Sequence, residues 1–222
     1  PEFGDNSWGD PVRLDEGATT INAFEPQIFV QDGVVHVIWY GLEDGVYGVF
    51  GTYSLDNGET WEPIQRIGGA LGGNTFHARI AGRGQNVFVA WEDYRNGAAD
   101  IYVNRSLDNG VTWETEVRVD TDAAGAANSL LPEIAASGTQ VFVTWRDQRN
   151  GGGFFGADIF SSVSLDSGAT WLDTDVRMDV TGPQGTGSFG HAMSVDGARL
   201  FVIWHDFRNG APDVFVNGTM PF

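Results

Sequence analysis

Apolar residues along this chain fall into short runs rather than helical stripes. Val87-Phe88-Val89-Ala90-Trp91, Val141 to Trp145 and Leu200 to Trp204 each lead into a polar turn, Glu92-Asp93-Tyr94-Arg95-Asn96-Gly97 in the first case. Unit one has Val34 to Trp39 but a degenerate turn. A further apolar run follows each turn, as in Asp100-Ile101-Tyr102-Val103 and Asp213-Val214-Phe215-Val216. Another comes later (Val12 to Asp15, Ile64 to Ile67, Val117 to Asp120, Val176 to Asp179). Less regular runs open each unit: Pro26 to Val30, Ala78-Arg79-Ile80, Pro132-Glu133-Ile134 and His191-Ala192-Met193. Short runs rich in Val, Ile, Phe and Trp, bounded by Gly, Asn and Asp, predict strands, and no segment carries a helical period.

The runs repeat. Ser54-Leu55-Asp56-Asn57-Gly58-Glu59-Thr60-Trp61 recurs as Ser106 to Trp113 and as Ser164 to Trp171, with the tryptophans 52 and 58 positions apart. Four units follow, about 8–60, 61–112, 113–170 and 171–222. Four strands per repeat of this length predict an all-β chain, a single β-propeller domain over 1–222 with four four-stranded antiparallel blades. A lone sheet cannot cover both its faces, so blades must stack. The chain starts before a fourth strand and stops after a third. Residues 1–15 are therefore expected to complete the last blade by pairing with it, which removes open sheet edges. A monomer closing its own ring is the favoured arrangement; two chains completing an eight-bladed ring is its rival.

The octapeptide has a local chemistry. Asp56, Asp108 and Asp166 are placed to accept backbone N–H groups inside a hairpin turn. Gly58, Gly110 and Gly168 supply a backbone geometry that a Cβ penalises. Trp61, Trp113 and Trp171 are expected to pack between blades. The motif resembles the Asp-box, or BNR repeat, of the sialidase superfamily, and the resemblance spans essentially the whole chain. It implies that this turn joins the third and fourth strands on the face away from the active site, in a structural role. It also implies a retaining glycosidase with a Tyr nucleophile, a partnering Glu, an acid/base Asp and three arginines, built on six blades. Here four units are present, the Phe-Arg-Ile-Pro motif is absent, and no Tyr is placed to pair with a Glu. The expectation is a short, non-catalytic member, since fold does not carry activity with it.

Composition narrows the partners. The chain has 12 Arg, no Lys and 30 acidic residues, a net charge of −18. Such a polyanion disfavours nucleic acid and anionic membranes, and no stretch is long enough to insert in a bilayer as a helix. Cysteine is absent, so disulfides and thiol chemistry are excluded. No cofactor is expected. Calcium is a candidate ligand because Asp120-Thr121-Asp122 and Asp173-Thr174-Asp175 offer hard oxygens, without a diagnostic spacing.

Candidate ligand-binding residues come from positions where the repeats differ. Equivalent positions at the start of the first strands read Glu25-Pro26-Gln27, His77-Ala78-Arg79, Leu131-Pro132-Glu133 and Gly190-His191-Ala192. In a ring, Gln27, His77, Arg79, Glu133 and His191 converge on one channel mouth, where they form a binding site or a hydrated lining with an Arg79–Glu133 pair. Phe154 and Phe155, on a glycine-rich insertion, form an interaction tip or a flap. His36 and His205, in or beside apolar strands, are read as structural. In Trp-x-Asp-x-Arg-Asn-Gly, the Asp, the Arg and the later Asp are expected to clamp one hairpin; unit one has Gly41, Glu43 and Gly48 instead. The favoured function is a recognition module for a carbohydrate or protein ligand, in a secreted or cell-surface protein whose leader would lie upstream. The alternatives are a reduced, sialidase-like glycoside hydrolase and a purely structural repeat domain.

Overall fold

The computed structural model describes residues 9–16, 21–69, 72–151, 156–180 and 187–219. Four antiparallel sheets follow one another along the chain, and no helix occurs among the described residues. Blade 1 comprises β1 (Ile21–Gln31), β2 (Val34–Glu43), β3 (Val46–Ser54) and β4 (Gln65–Gly68). Blade 2 holds β5 (Thr75–Arg83), β6 (Asn86–Asp93), β7 (Asp100–Ser106) and β8 (Val117–Arg118). Blade 3 holds β9 (Ser129–Ser137), β10 (Gln140–Asp147), β11 (Asp158–Ser164) and β12 (Val176–Arg177). Blade 4 holds β13 (Ser188–Asp196), β14 (Arg199–Asp206) and β15 (Asp213–Gly218). Every sheet is a meander, each strand bonded to its chain neighbour.

The apolar runs are continuous rather than alternating because the middle strands are covered on both faces. In β6, Phe88 and Ala90 join Ile101 and Val103 against Val141, Val143 and Trp145 of blade 3. From the same strand Val89 and Trp91 pack against Ile38, Val49 and Ile67 of blade 1. A third core sets Phe142, Ile159 and Met178 against Leu200, Val202 and Trp204 of blade 4. The first strands run side by side, β1 by β5, β5 by β9 and β9 by β13. Close approach has a sequence requirement: a Cβ on Gly68 would fall 2.4 Å from the Trp91 ring.

Among the described residues the expected closing pairing is not formed. Residues 9–16 lie in no strand, and the last sheet has three strands rather than four. The physical difference lies at Arg13. Its equivalents bridge to the carboxylate that opens the third strand, Arg118 to Asp100 at 3.3 Å and Arg177 to Asp158 at 3.0 Å. Arg13 instead pairs with Asp15 two residues away, at 2.7 Å, in an exposed position. Such a pair contributes little, and among the described residues no fourth strand lies beside β15.

Candidate functional site

The candidate site is built by one device used four times. At the start of every first strand the pairing slips, between Phe24 and Gln27, Phe76 and Arg79, and Phe189 and Ala192, with the matching slip on β10 between Thr144 and Arg146. The residues at the slip are left-handed at nearly the same angle: Glu25 at φ 49°, His77 at 52°, Leu131 at 54° and Gly190 at 55°. Three of the four are not glycine, and such a backbone costs about 1–3 kcal/mol each unless its surroundings hold it. Bulges of this kind re-aim side chains. Opposite them, Phe24 pairs with Tyr40, Phe76 with Glu92, Leu130 with Arg146 and Phe189 with His205. This end of the sheets is remote from the octapeptide turns, which bond instead to the first-to-second-strand turns through Asn57 to Gly33, Asn109 to Gln85 and Ser167 to Thr139.

Glu92 is the buried centre of blade 2's share. Its Oε1 accepts the Leu131 N–H at 2.7 Å, and its Oε2 accepts the Tyr94 hydroxyl at 3.3 Å. His77 Nδ1 lies 2.8 Å from Oε1, at ion-pair distance but turned out of hydrogen-bond alignment, and His77 Nε2 is 3.7 Å from Glu25. Glu92 raises the His77 pKa, with burial opposing it. Burial, then Glu92, pushes the Tyr94 phenol up to about 12. Beside this group, Arg79 Nε donates to Glu133 Oε1 at 3.3 Å and its Nη1 to the Ala78 carbonyl at 3.1 Å. Arg146 is buried with its guanidinium 4.2 Å from the Phe189 ring centroid. His191 is held near pKa 4 by burial, with Arg146 and Arg79 also disfavouring its cation, while it donates to the Thr144 carbonyl. At neutral pH it is uncharged, and its buried Nε2 has no hydrogen-bond partner among the described residues.

Blade 1 contributes aromatics. Phe24, Tyr40, Phe76 and Tyr94 form a chain of ring contacts at 5.5, 5.4 and 5.7 Å, and Tyr47 joins it 5.5 Å from Phe76. The structure thus brings together His77, Arg79, Glu133 and His191; Gln27 is half-buried on β1 opposite Ile38. Phe154 and Phe155 lie outside the described residues. Sequence reasoning missed Tyr40, Glu92 and Arg146, although a signal was present. The position after the conserved strand tryptophan reads Tyr40, Glu92, Arg146 and His205, a non-repeating residue in a repeating frame. It also missed that Tyr94 does have a Glu partner.

The hairpin arginines depart from expectation. Arg95 grips Asp93 through two bonds but then turns to Glu116 on the fourth-strand side and stacks 4.1 Å over Tyr102. Arg149 likewise joins Asp147 at 2.6 Å to Asp175 at 2.7 Å. The later carboxylates are taken by asparagine, Asn96 to Asp100 at 2.7 Å and Asn150 to Asp158 at 2.6 Å. The arginine therefore ties the hairpin to the outer strand, because the guanidinium outreaches its own turn. In blade 1, Gly41 replaces the Asp, and Trp39 Nε1 has no hydrogen-bond partner among the described residues, whereas Trp91, Trp145 and Trp204 each donate to theirs at 2.8–3.1 Å.

In the octapeptide turns, Asp56 accepts the Thr60 N–H at 2.8 Å and hydroxyl at 2.6 Å, while Ser54 Oγ accepts the Gly58 N–H at 2.8 Å. Asp108 and Asp166 repeat the pattern. The hydrogen bonds from Thr60 and Thr170 hold the Asp56 and Asp166 pKa values at about 2. Gly58, Gly110 and Gly168 sit at φ 79–89°. Trp113 packs in the seam between blades 1 and 2 and Trp171 in that between blades 2 and 3. A depression of about 410 Å³ at this end is lined by Ser137, Thr139, Gln140 and Leu165 and carries no titratable group, so it lacks the chemistry of the opposite mouth. Asp100, Asp120 and Asp122 gather closely enough to hold a cation, yet Arg118 already bonds all three at 2.8–3.3 Å. Asp175, from the second acidic stretch, is engaged by Arg149.

A BNR/Asp-box repeat description matches residues 52–63. No curated protein gives a significant match. Among solved structures, an α-L-arabinanase of Penicillium chrysogenum complexed with arabinobiose is similar at a TM-score of 0.60 and 18% identity, over 89% of this chain and 62% of that one. The NanB sialidase of Streptococcus pneumoniae follows at 0.57 and 9%, over 90% and 50%. A Trypanosoma rangeli sialidase in complex with sialic acid gives 0.53 and 14%, over 83% and 34%. The chain therefore spans less than two thirds of these proteins. At such identities the likeness establishes the fold: a sialidase-like β-propeller carrying Asp-box repeats.

Proposed function

We propose that the bulged mouth is a carbohydrate-recognition site and that the chain acts as a recognition module of a secreted or cell-surface protein. The observation that carries this reading is the set of charged and aromatic side chains that differ from blade to blade yet sit on four equivalent bulges. A symmetric scaffold needs no such differences for its own stability, and convergent polar groups beside an apolar wall are what a ligand site requires. Arg79, Glu133 and His77 offer donors and acceptors to sugar hydroxyls, the buried His191 Nε2 awaits a donor, and the Tyr40–Phe76–Tyr94 rings supply a wall for a pyranose face. The structural neighbours, an arabinanase complexed with arabinobiose and a sialidase complexed with sialic acid, support a saccharide over a peptide. Glycan-array screening followed by titration calorimetry tests it. A hit whose affinity falls at least about tenfold in Arg79→Ala and in His77→Ala is expected; affinities unchanged in both variants would remove the mouth from the reading.

A reduced glycoside hydrolase is the second reading, favoured by the Tyr94–Glu92 contact at 3.3 Å. Two features weigh against it. Glu92 already serves Leu131, His77 and Tyr94, and the Tyr94 phenol is harder to ionise than usual. Turnover of an aryl glycoside that disappears in Tyr94→Phe would establish the hydrolase instead.

A further inference from the structure

The seams between blades 1 and 2 and between blades 2 and 3 are made by the same parts, and the two ends of the array carry one half each. The second-strand residue three positions before the tryptophan packs on the octapeptide glycine of the following blade: a Cβ on Gly110 would meet His36 at 3.1 Å, and one on Gly168 would meet Phe88 at 3.3 Å. Their counterpart in blade 4 is Phe201, which stands 41% exposed. The counterpart glycine in blade 1 is Gly58, whose Cβ direction meets nothing nearer than Trp61 at 3.8 Å. Around Phe201, Ile203 (47%), Val214 (80%) and Val216 (67%) are exposed, whereas Ala90, Ile101 and Val103 at the same places in blade 2 are buried. On the face of blade 1, Ile28 (66%) and Val30 (56%) are exposed, while Ile134, the equivalent of Ile28, is buried.

We infer that two copies of this chain associate head to tail, the blade 4 face of one closing on the blade 1 face of the other. A second copy is the occupant because the chain itself presents both halves of the seam, Phe201 on blade 4 and Gly58 on blade 1. The contact continues an interface the molecule already makes three times. The polar pattern agrees. Arg118 and Arg177 bridge to Asp100 and Asp158 within their blades, and the matching Asp213 on β15 is exposed, with no fourth strand beside it among the described residues. A copy presenting blade 1 brings its Arg13, which precedes that blade, to Asp213. Such an interface is heterologous, so it either closes as a two-copy ring or propagates.

Light scattering of the full chain over a range of concentrations tests this. The expected mass is at least twice 24.0 kDa. Val216→Glu and Ile28→Glu each abolish association alone, and an equimolar mixture restores a dimer, because the intact blade 4 face of one variant meets the intact blade 1 face of the other. A mixture of folded variants that stays monomeric overturns the proposal. Should either variant fail to fold, sedimentation equilibrium of the unaltered chain decides. A single 24.0 kDa species whose melting falls when residues 1–15 are removed closes upon itself and equally overturns it.

Discussion

His36 is a buried base at a place where the other blades carry phenylalanine, and acid should expose the difference. Its ring stacks between Phe29 and Tyr53, each 6.1 Å away, and the Gly110 backbone of blade 2 closes the third side. Burial lowers its pKa from 6.5 to about 4. On acidification the unfolded chain takes up this proton first, so folding stability falls below pH 6.5 and the loss levels off near pH 4. A gap of that size makes the loss about 2.5 kcal/mol between pH 7.5 and 4.5, a large share of a typical domain's stability. The perturbation is His36→Phe, which installs the residue found at positions 88, 142 and 201. Urea unfolding at both pH values gives the assay. Near pH 7.5 the variant should lie within about 1 kcal/mol of the parent, as a near-isosteric core exchange does. At pH 4.5 it should be more stable by about 2 kcal/mol. His191, which also titrates near 4, and the raised Asp120 are present in both proteins and cancel. Parallel losses in parent and variant would refute the burial argument.

Three further outcomes follow from repeated positions whose surroundings differ. Trp39→Phe should cost about 1 kcal/mol less than Trp91→Phe, because only Trp91 gives up a hydrogen bond to a buried carboxylate; equal costs in denaturant unfolding would contradict the orphaned Nε1. Gly110→Ala pays for a left-handed backbone and for a contact with His36, whereas Gly58→Ala at low protein concentration pays only the first; a difference of about 1 kcal/mol is expected, vanishing if the seam contact is slack. Asp147→Ala strands the buried Trp145 Nε1, leaves Ser129 Oγ only its longer bond to Asp120 and leaves the Arg149 guanidinium on Asp175 alone, so a loss of about 3–5 kcal/mol is expected from thermal or chemical unfolding, and a loss under about 1 kcal/mol would show that Asp175 and Asp120 suffice.

What was legible in the sequence was whatever a short stretch of chain decides for itself. The octapeptide turn is such a stretch: Asp56, Ser54, Thr60 and Gly58 bond to one another across a few residues, so their spacing specifies their geometry. Strands were legible for the same reason, since a covered middle strand must be apolar throughout. The bulge at Glu25, His77, Leu131 and Gly190 was half legible. Aligning the repeats marked the positions, but only backbone pairing reveals that the residue across from each bulge, Glu92 or Arg146, belongs to the same mouth. Arginine partners were misread because a long side chain chooses among carboxylates brought near by the fourth strand, and Glu116 and Asp175 stand 21 and 26 residues beyond the arginines they hold.

Closure of the array was the least legible feature, and the reason is geometric. A pattern of alternating faces fixes that each blade needs a neighbour, but how far each seam turns depends on how Trp91 meets Gly68 or how His36 meets Gly110, which are matters of a few tenths of an ångström. Val12 to Asp15 carries every residue of a fourth strand and still lies in no strand, with Arg13 turned to Asp15 rather than to a third-strand carboxylate. The same seam that makes Phe88 and Gly168 interlock therefore leaves Phe201 and Gly58 as complementary halves on opposite ends of one chain, and whichever surface satisfies them also determines how many blades surround the mouth.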